Sequence, residues 1–203
     1  MTIKAPLAFL LIASGLVVPV GVRADAPAGI APGSYRNWKG QITEVVVNRS
    51  FQADNYRDIF VEPLGSVGVK VPEKPRQKEA AEALKSAKAA FIEGLRGNLR
   101  EHVETRSSKP GAVEDALVIR AHLVAIDAGS ENARYYLFGL GGGAVGVSIE
   151  GEIFERSSHR VLITFKQTRR STFGRGGGTG FGELFSKTTR QLGGDVAALI
   201  NAF

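Results

Sequence analysis

In the second half of the chain, three runs place an apolar residue at every other position, and this period most constrains the fold. Leu117, Ile119, Ala121 and Leu123 face one way, while Arg120 and His122 face the other. Val145, Val147, Ile149 and Ile153 alternate with Ser148, Glu150 and Glu152; Val161, Ile163 and Phe165 alternate with Leu162, Thr164 and Lys166. A period of two marks a strand with one buried face. Ser157-Ser158-His159 separates the last two runs, so they are expected to form an antiparallel hairpin.

Two other segments carry the helical period. From about Arg76 to His102, the residues Ala80, Leu84, Ala87, Phe91, Leu95, Leu99 and Val103 recur at steps of three and four. Gly94 and Gly97 weaken that helix and would allow close contact with a sheet. From about Gly182 to Ala202, an apolar face runs through Leu184, Phe185, Thr188, Leu192, Val196, Leu199, Ile200 and Phe203. Asp58-Ile59-Phe60-Val61-Glu62-Pro63 reads as a short strand closed by proline, and Val67, Val69 and Val71 as a second short extended piece. Helices with one apolar stripe must cover a sheet. The expected fold is therefore an α/β (α+β) two-layer domain over residues 57–203. It has a small mixed sheet of about four or five strands, including the C-terminal hairpin, packed by two helices.

Residues 1–24 have the layout of a secretory leader: Lys4, an apolar run from Ala5 to Val18, and Val22-Arg23-Ala24 as the cleavage motif. The run is shorter than the roughly 20 residues a span requires, and Gly15, Pro19 and Gly21 break its end. Residues 25–34 are rich in Ala, Pro and Gly, and residues 25–56 are expected to be a flexible N-terminal segment, with Ile42 to Val47 as a candidate strand or edge element. The expected location is periplasmic or secreted, after cleavage near Ala24, with no transmembrane helix in the mature chain. The chain has no Cys, which excludes disulfides, thiolate metal sites and lipidation of a cysteine. Net charge is +6; with Lys4 and Arg23 assigned to the leader, the remainder is mildly basic, and no nucleic-acid partner is expected.

Gly129-Ser130-Glu131-Asn132-Ala133-Arg134-Tyr135-Tyr136 leads into Phe138-Gly139-Leu140-Gly141-Gly142-Gly143-Ala144, then an alternating strand and a hairpin. This pattern resembles the uncharacterised Gram-negative envelope family catalogued as domain of unknown function 4410. The resemblance covers about residues 55–203. It implies an exported envelope protein with this order of elements and brings no catalytic residues to carry over. Many members look like lipoproteins; this chain lacks the cysteine for that anchor.

The first Gly-rich stretch holds Tyr135, Tyr136, Phe138 and Leu140, a contiguous apolar patch costly to leave in water, and these are the candidate partner-binding residues. The second, Gly174 to Gly182, precedes a helix, and Arg169, Arg170 and Arg175 beside it are candidate anion-binding residues. Neither is a nucleotide fingerprint: a strand follows the first, and Glu183 follows the second where a phosphate loop requires Lys-Ser/Thr. His102, His122 and His159 lack metal-ligand spacing, and Glu150 and Glu152 share a strand face with no opposing catalytic partner in view. No Gly-x-Ser-x-Gly elbow is present. No cofactor or metal is expected. The expectation is a non-catalytic envelope protein that binds or scaffolds another envelope protein or a membrane-surface component. The alternatives are a periplasmic enzyme whose site is not visible in sequence, and a weak anion binder.

Overall fold

The computed structural model describes residues 30–56, 58–66, 68–69, 77–99, 104–106, 116–127, 144–171 and 181–203. The elements among them are β1 (Gly33–Trp38), β2 (Ile42–Val47), a 3-10 turn (Ala53–Asn55), β3 (Asp58–Val61), α1 (Gln77–Arg96), β4 (Glu104–Arg106), β5 (Ala116–Asp127), β6 (Gly146–Glu155), β7 (Val161–Arg170) and α2 (Phe181–Ile200). The described strands form a seven-stranded mixed sheet in the order β1-β2-β7-β6-β5-β3-β4. Pairing is antiparallel from β1 through β5 and parallel from β5 to β3 to β4. A parallel pair requires a crossover connection, and α1 lies within the one joining β3 to β5.

The α+β class, the two helices and the β6–β7 hairpin agree with the sequence expectation. The sheet is larger than the expected four or five strands, because residues expected as a flexible segment belong to it. Asn37 and Lys39 (φ 50° and 46°) and Gly40 (φ 71°) turn the chain between β1 and β2, with Gly40 N–H bonded to the Asn37 carbonyl at 3.1 Å. Positive φ is a left-handed conformation that Asn tolerates better than most residues. The hairpin then buries Trp38, Ile42, Val45 and Val47, and β2 pairs with β7 from Glu44↔Lys166 to Val47↔Ile163. The candidate strand Ile42 to Val47 is β2, and the residues before it, with Arg36 and Asn37 among them, carry no apolar run that would mark β1.

Both helices share one core with one face of the sheet. Ala83, Ala87, Phe91 and Leu95 of α1 join Leu184, Phe185, Leu192, Val196 and Ile200 of α2 over Ile119, Leu123, Ile149, Ile153 and Ile163. Burying each large side chain contributes about 1.5–3 kcal/mol. α2 lies against β2, β6 and β7, and α1 packs along α2. Their approach is set by glycine. A Cβ on Gly94 would stand 1.9 Å from the Arg190 carbonyl oxygen, and one on Gly193 would stand 2.2 Å from the Phe91 carbonyl oxygen. Gly94 thus serves contact with the other helix rather than with the sheet. α1 ends at Arg96, earlier than the expected His102, and Gly97 follows as a turn. Of the extended piece expected at Val67 to Val71, both ends lie outside the described residues. The bridge found nearby is Gly65 to His122.

Thr188 and Thr189 are buried within α2 and donate to the carbonyls of Leu184 and Phe185 at 2.7 and 2.8 Å. Two more buried polar side chains hold α2 to the sheet. Asp195 is 4% exposed and Gln167 is 3% exposed. Gln167 Nε2 donates to Asp195 at 2.8 Å and to the Gln41 carbonyl, while its Oε1 accepts from Thr43 N–H and Oγ1 at 2.9 Å. One amide side chain therefore joins β7, the β1–β2 hairpin and α2. At the far end of the helix, Phe203 stacks between Trp38 and Phe51, with ring centroids 6.0 and 4.7 Å away.

Candidate functional site: the open sheet face

The helices cover one face of the sheet, and strand alternation presents the polar residues on the other. The pairing register places Arg36, Glu44, Lys166, Glu150 and His122 side by side across five strands. Charge alternates along that row. Lys166 Nζ donates to Glu150 Oε1 at 2.7 Å, and this bond raises the lysine pKa. The neighbouring row carries Thr164, Glu152 and Arg120. Arg120 donates to both oxygens of Glu62, at 2.7 and 2.9 Å, and to Glu152 at 2.8 Å. The Glu62 bonds are the main reason its pKa is raised. The same guanidinium lies 4.8 Å from the centre of the Phe154 ring. Along the strands on one side, Ser148 and Thr168 share a hydrogen bond of 2.9 Å. On the other side, Phe60, Ala116, Val118 and Phe154 form a small second apolar cluster.

These rows line a broad, open depression of about 540 Å³. Chemically, it is a surface of matched charges. Glu150 and Glu152 share a face, as their spacing requires, but each accepts a hydrogen bond from a cationic side chain. His122 is exposed on β5, opposite Glu150. His159 sits in the β6–β7 turn at φ 54°, stacked on Phe154, and His102 lies outside the described residues. Among the described residues, no group of three His, Cys, Asp or Glu side chains is placed to hold a metal ion. No described helix is long and apolar enough to cross a membrane.

Tyr135, Tyr136, Phe138, Leu140 and Arg175 lie outside the described residues, as does the leader. Arg169 does not stand free beside Arg170, as an anion cluster would need. Its Nε and Nη2 bond both oxygens of Asp195, at 2.5 and 2.6 Å, and that bond raises its pKa. Consecutive strand residues point to opposite faces, so Arg169 reaches α2 while Arg170 is exposed. Arg36, Glu44, Arg120 and Lys166 were not singled out from sequence as site residues. Arg120 and Lys166 were visible as polar positions, but only the register brings them into line.

By fold and surface, the described residues define a two-layer α+β domain with helices on one sheet face and a charged, open second face. No family model and no curated protein matches the chain. Among solved structures, it is similar to the PelC dodecamer of Paraburkholderia phytofirmans, at 14% identity and a TM-score of 0.44, over 74% of this chain and 96% of that one. It is also similar to a hypothetical protein of Chlamydia trachomatis (9% identity, TM-score 0.42, 72% and 99% covered). A third is a Xanthomonas campestris protein of the DUF330 family (11%, 0.36, 71% and 83%). Likeness at this level brings no activity, partner or site residue to this chain.

Proposed function

We propose that this is an exported, non-catalytic envelope protein of the domain of unknown function 4410 type. It binds or scaffolds another envelope component through the aromatic stretch around Tyr135, Tyr136, Phe138 and Leu140. The observation that carries the reading is where the two Gly-rich segments leave the sheet. Asp127, Gly146 and Arg170 stand in one row at the ends of β5, β6 and β7. Val145 and Ser171 are tied to each other: Val145 N–H donates to Ser171 Oγ and Ser171 N–H to the Val145 carbonyl, both at 2.8 Å. Segment 128–143 therefore starts and finishes at the end of the domain from which segment 172–180 departs. Val124, beside that end, is the large hydrophobic side chain that stands exposed among the described residues, at 38%. The described surface thus carries no broad apolar patch of its own, and the aromatic run Tyr135, Tyr136 and Phe138 lies within segment 128–143.

The test is a photo-reactive residue in place of Phe138, with mass spectrometry of the adducts formed in intact cells. One dominant adduct, lost when Leu140 is also changed to Ser, supports the reading. A background pattern, or an adduct indifferent to Leu140→Ser, overturns it. The anion-binding alternative is weaker, because Asp195 already engages Arg169.

A further inference from the structure

The open face is built to match itself. We infer that it is a self-association surface, on which a second copy of this chain docks face to face about a two-fold axis that runs along the strands between β6 and β7. Its basis is the described register alone, and it is independent of the contact proposed for residues 135–140.

A two-fold axis in that position places β6 of one copy over β7 of the other, and β5 over β2, with each row meeting its own counterpart. Glu150 then meets Lys166 of the second copy, and His122 meets Glu44. Each contact occurs twice, as in any isologous interface. Around the axis, two lysines and two glutamates alternate, so each charge has an opposite neighbour in both copies. Ser148 meets Thr168 in the next row, hydroxyl to hydroxyl. At the other end, Phe154 meets Val161. Moving the axis by half a strand spacing, onto β7, would place Glu44 over Glu150 and remove the match. The alternation of sign across the row thus requires an axis midway between two strands, and the depression, lined by β2, β7, β6 and β5, is centred between β6 and β7.

The area is consistent with a weak dimer. The four strands that overlap, β2, β7, β6 and β5, at about 4.8 Å each give a width of about 19 Å, and the five rows from Phe154 to Gly146 give about 27 Å of length. That is about 500 Å² per copy and about 1,000 Å² in total, at the lower edge of specific interfaces. The charged groups keep part of their hydration, so the contact is wet and strongly screened by salt.

The experiment is sedimentation velocity of the purified protein over a range of concentrations, in about 0.02 M and about 1 M NaCl, with cysteine crosslinking alongside. Since the chain has no Cys, an introduced thiol is unique. Thr164 lies on β7 within the open face, next to the axis, whereas Lys85 is exposed on α1. The expected result is a monomer–dimer equilibrium that dissociates in high salt and weakens by about tenfold or more in Lys166→Glu. With a bis-maleimide reagent that spans about 10 Å, the spacing of two facing sheets, Thr164→Cys should form a covalent dimer much faster than Lys85→Cys, and this variant preserves the charge pairs if Lys166→Glu fails to fold. A protein that stays monomeric in low salt, a dimer that survives 1 M NaCl, or equal crosslinking by the two cysteine variants overturns the inference.

Discussion

Asp195 of the last helix is gripped by Arg169 of the last strand through two hydrogen bonds, at 2.5 and 2.6 Å, while Asp195 itself is only 4% exposed. Removing Arg169 leaves the buried carboxylate without its counter-charge, held only by the Gln167 amide. Arg169→Met is therefore expected to destabilise the fold by about 2 kcal/mol. This is below the full cost of breaking a buried pair, because Arg169 is 35% exposed and water can reach the gap. Asp195→Asn should cost less, since its amide oxygen still accepts a hydrogen bond. Urea denaturation of the two variants checks the order.

The helix pair tolerates no side chain at its crossing. Gly94→Ala and Gly193→Ala are each expected to lose about 2 kcal/mol or more, because the new Cβ would meet backbone oxygen, which cannot rotate away. Gly182→Ala is the contrasting case. Its nearest neighbour would be the Ala83 Cβ at 4.0 Å, so the change should be neutral or stabilise by about 0.4–1 kcal/mol through the unfolded chain. Thermal melts of the three variants separate the two outcomes.

Trp38 is the single tryptophan in the chain, 8% exposed and stacked on Phe203. Phe203→Ala removes the ring between Trp38 and Phe51. Emission from Trp38 should shift to longer wavelength as water reaches the indole, and the fold should lose about 1–2 kcal/mol. An unchanged emission maximum would mean that Phe203 does not shield Trp38.

Glu155 accepts hydrogen bonds from Ser158 at 2.6 Å and from Tyr56 at 2.9 Å. These bonds, led by that from Ser158, hold its pKa below the ordinary carboxylate value. A depressed folded-state pKa stabilises the protein fully above the unfolded-state value, about 4.3, and that contribution is lost as pH falls through the folded-state value. Glu155→Gln should therefore lower the melting temperature at pH 7, with the deficit shrinking below about pH 4. Paired melts across that range measure it.

The amino-acid order by itself determined the type of the three long strands and of both helices. Alternation in Leu117 to Leu123, Val145 to Ile153 and Val161 to Phe165 marked three strands, and the three-and-four spacing marked both helices, because these periods follow from local backbone geometry. It also determined which faces are polar. What the tertiary structure decided is what depends on partners distant in the chain. Gly94 meets Arg190 and not the sheet; Arg169 is drawn to Asp195 and away from Arg170; and Ile42 to Val47 become an inner strand because β7 lies beside them. The same holds for the row from Arg36 to His122. Its five members are spread over 131 positions 36 to 166 of the chain, and local periodicity carries no information about which strands become neighbours. Register and strand order arise from packing the whole core at once, which turns scattered polar positions into one ordered face.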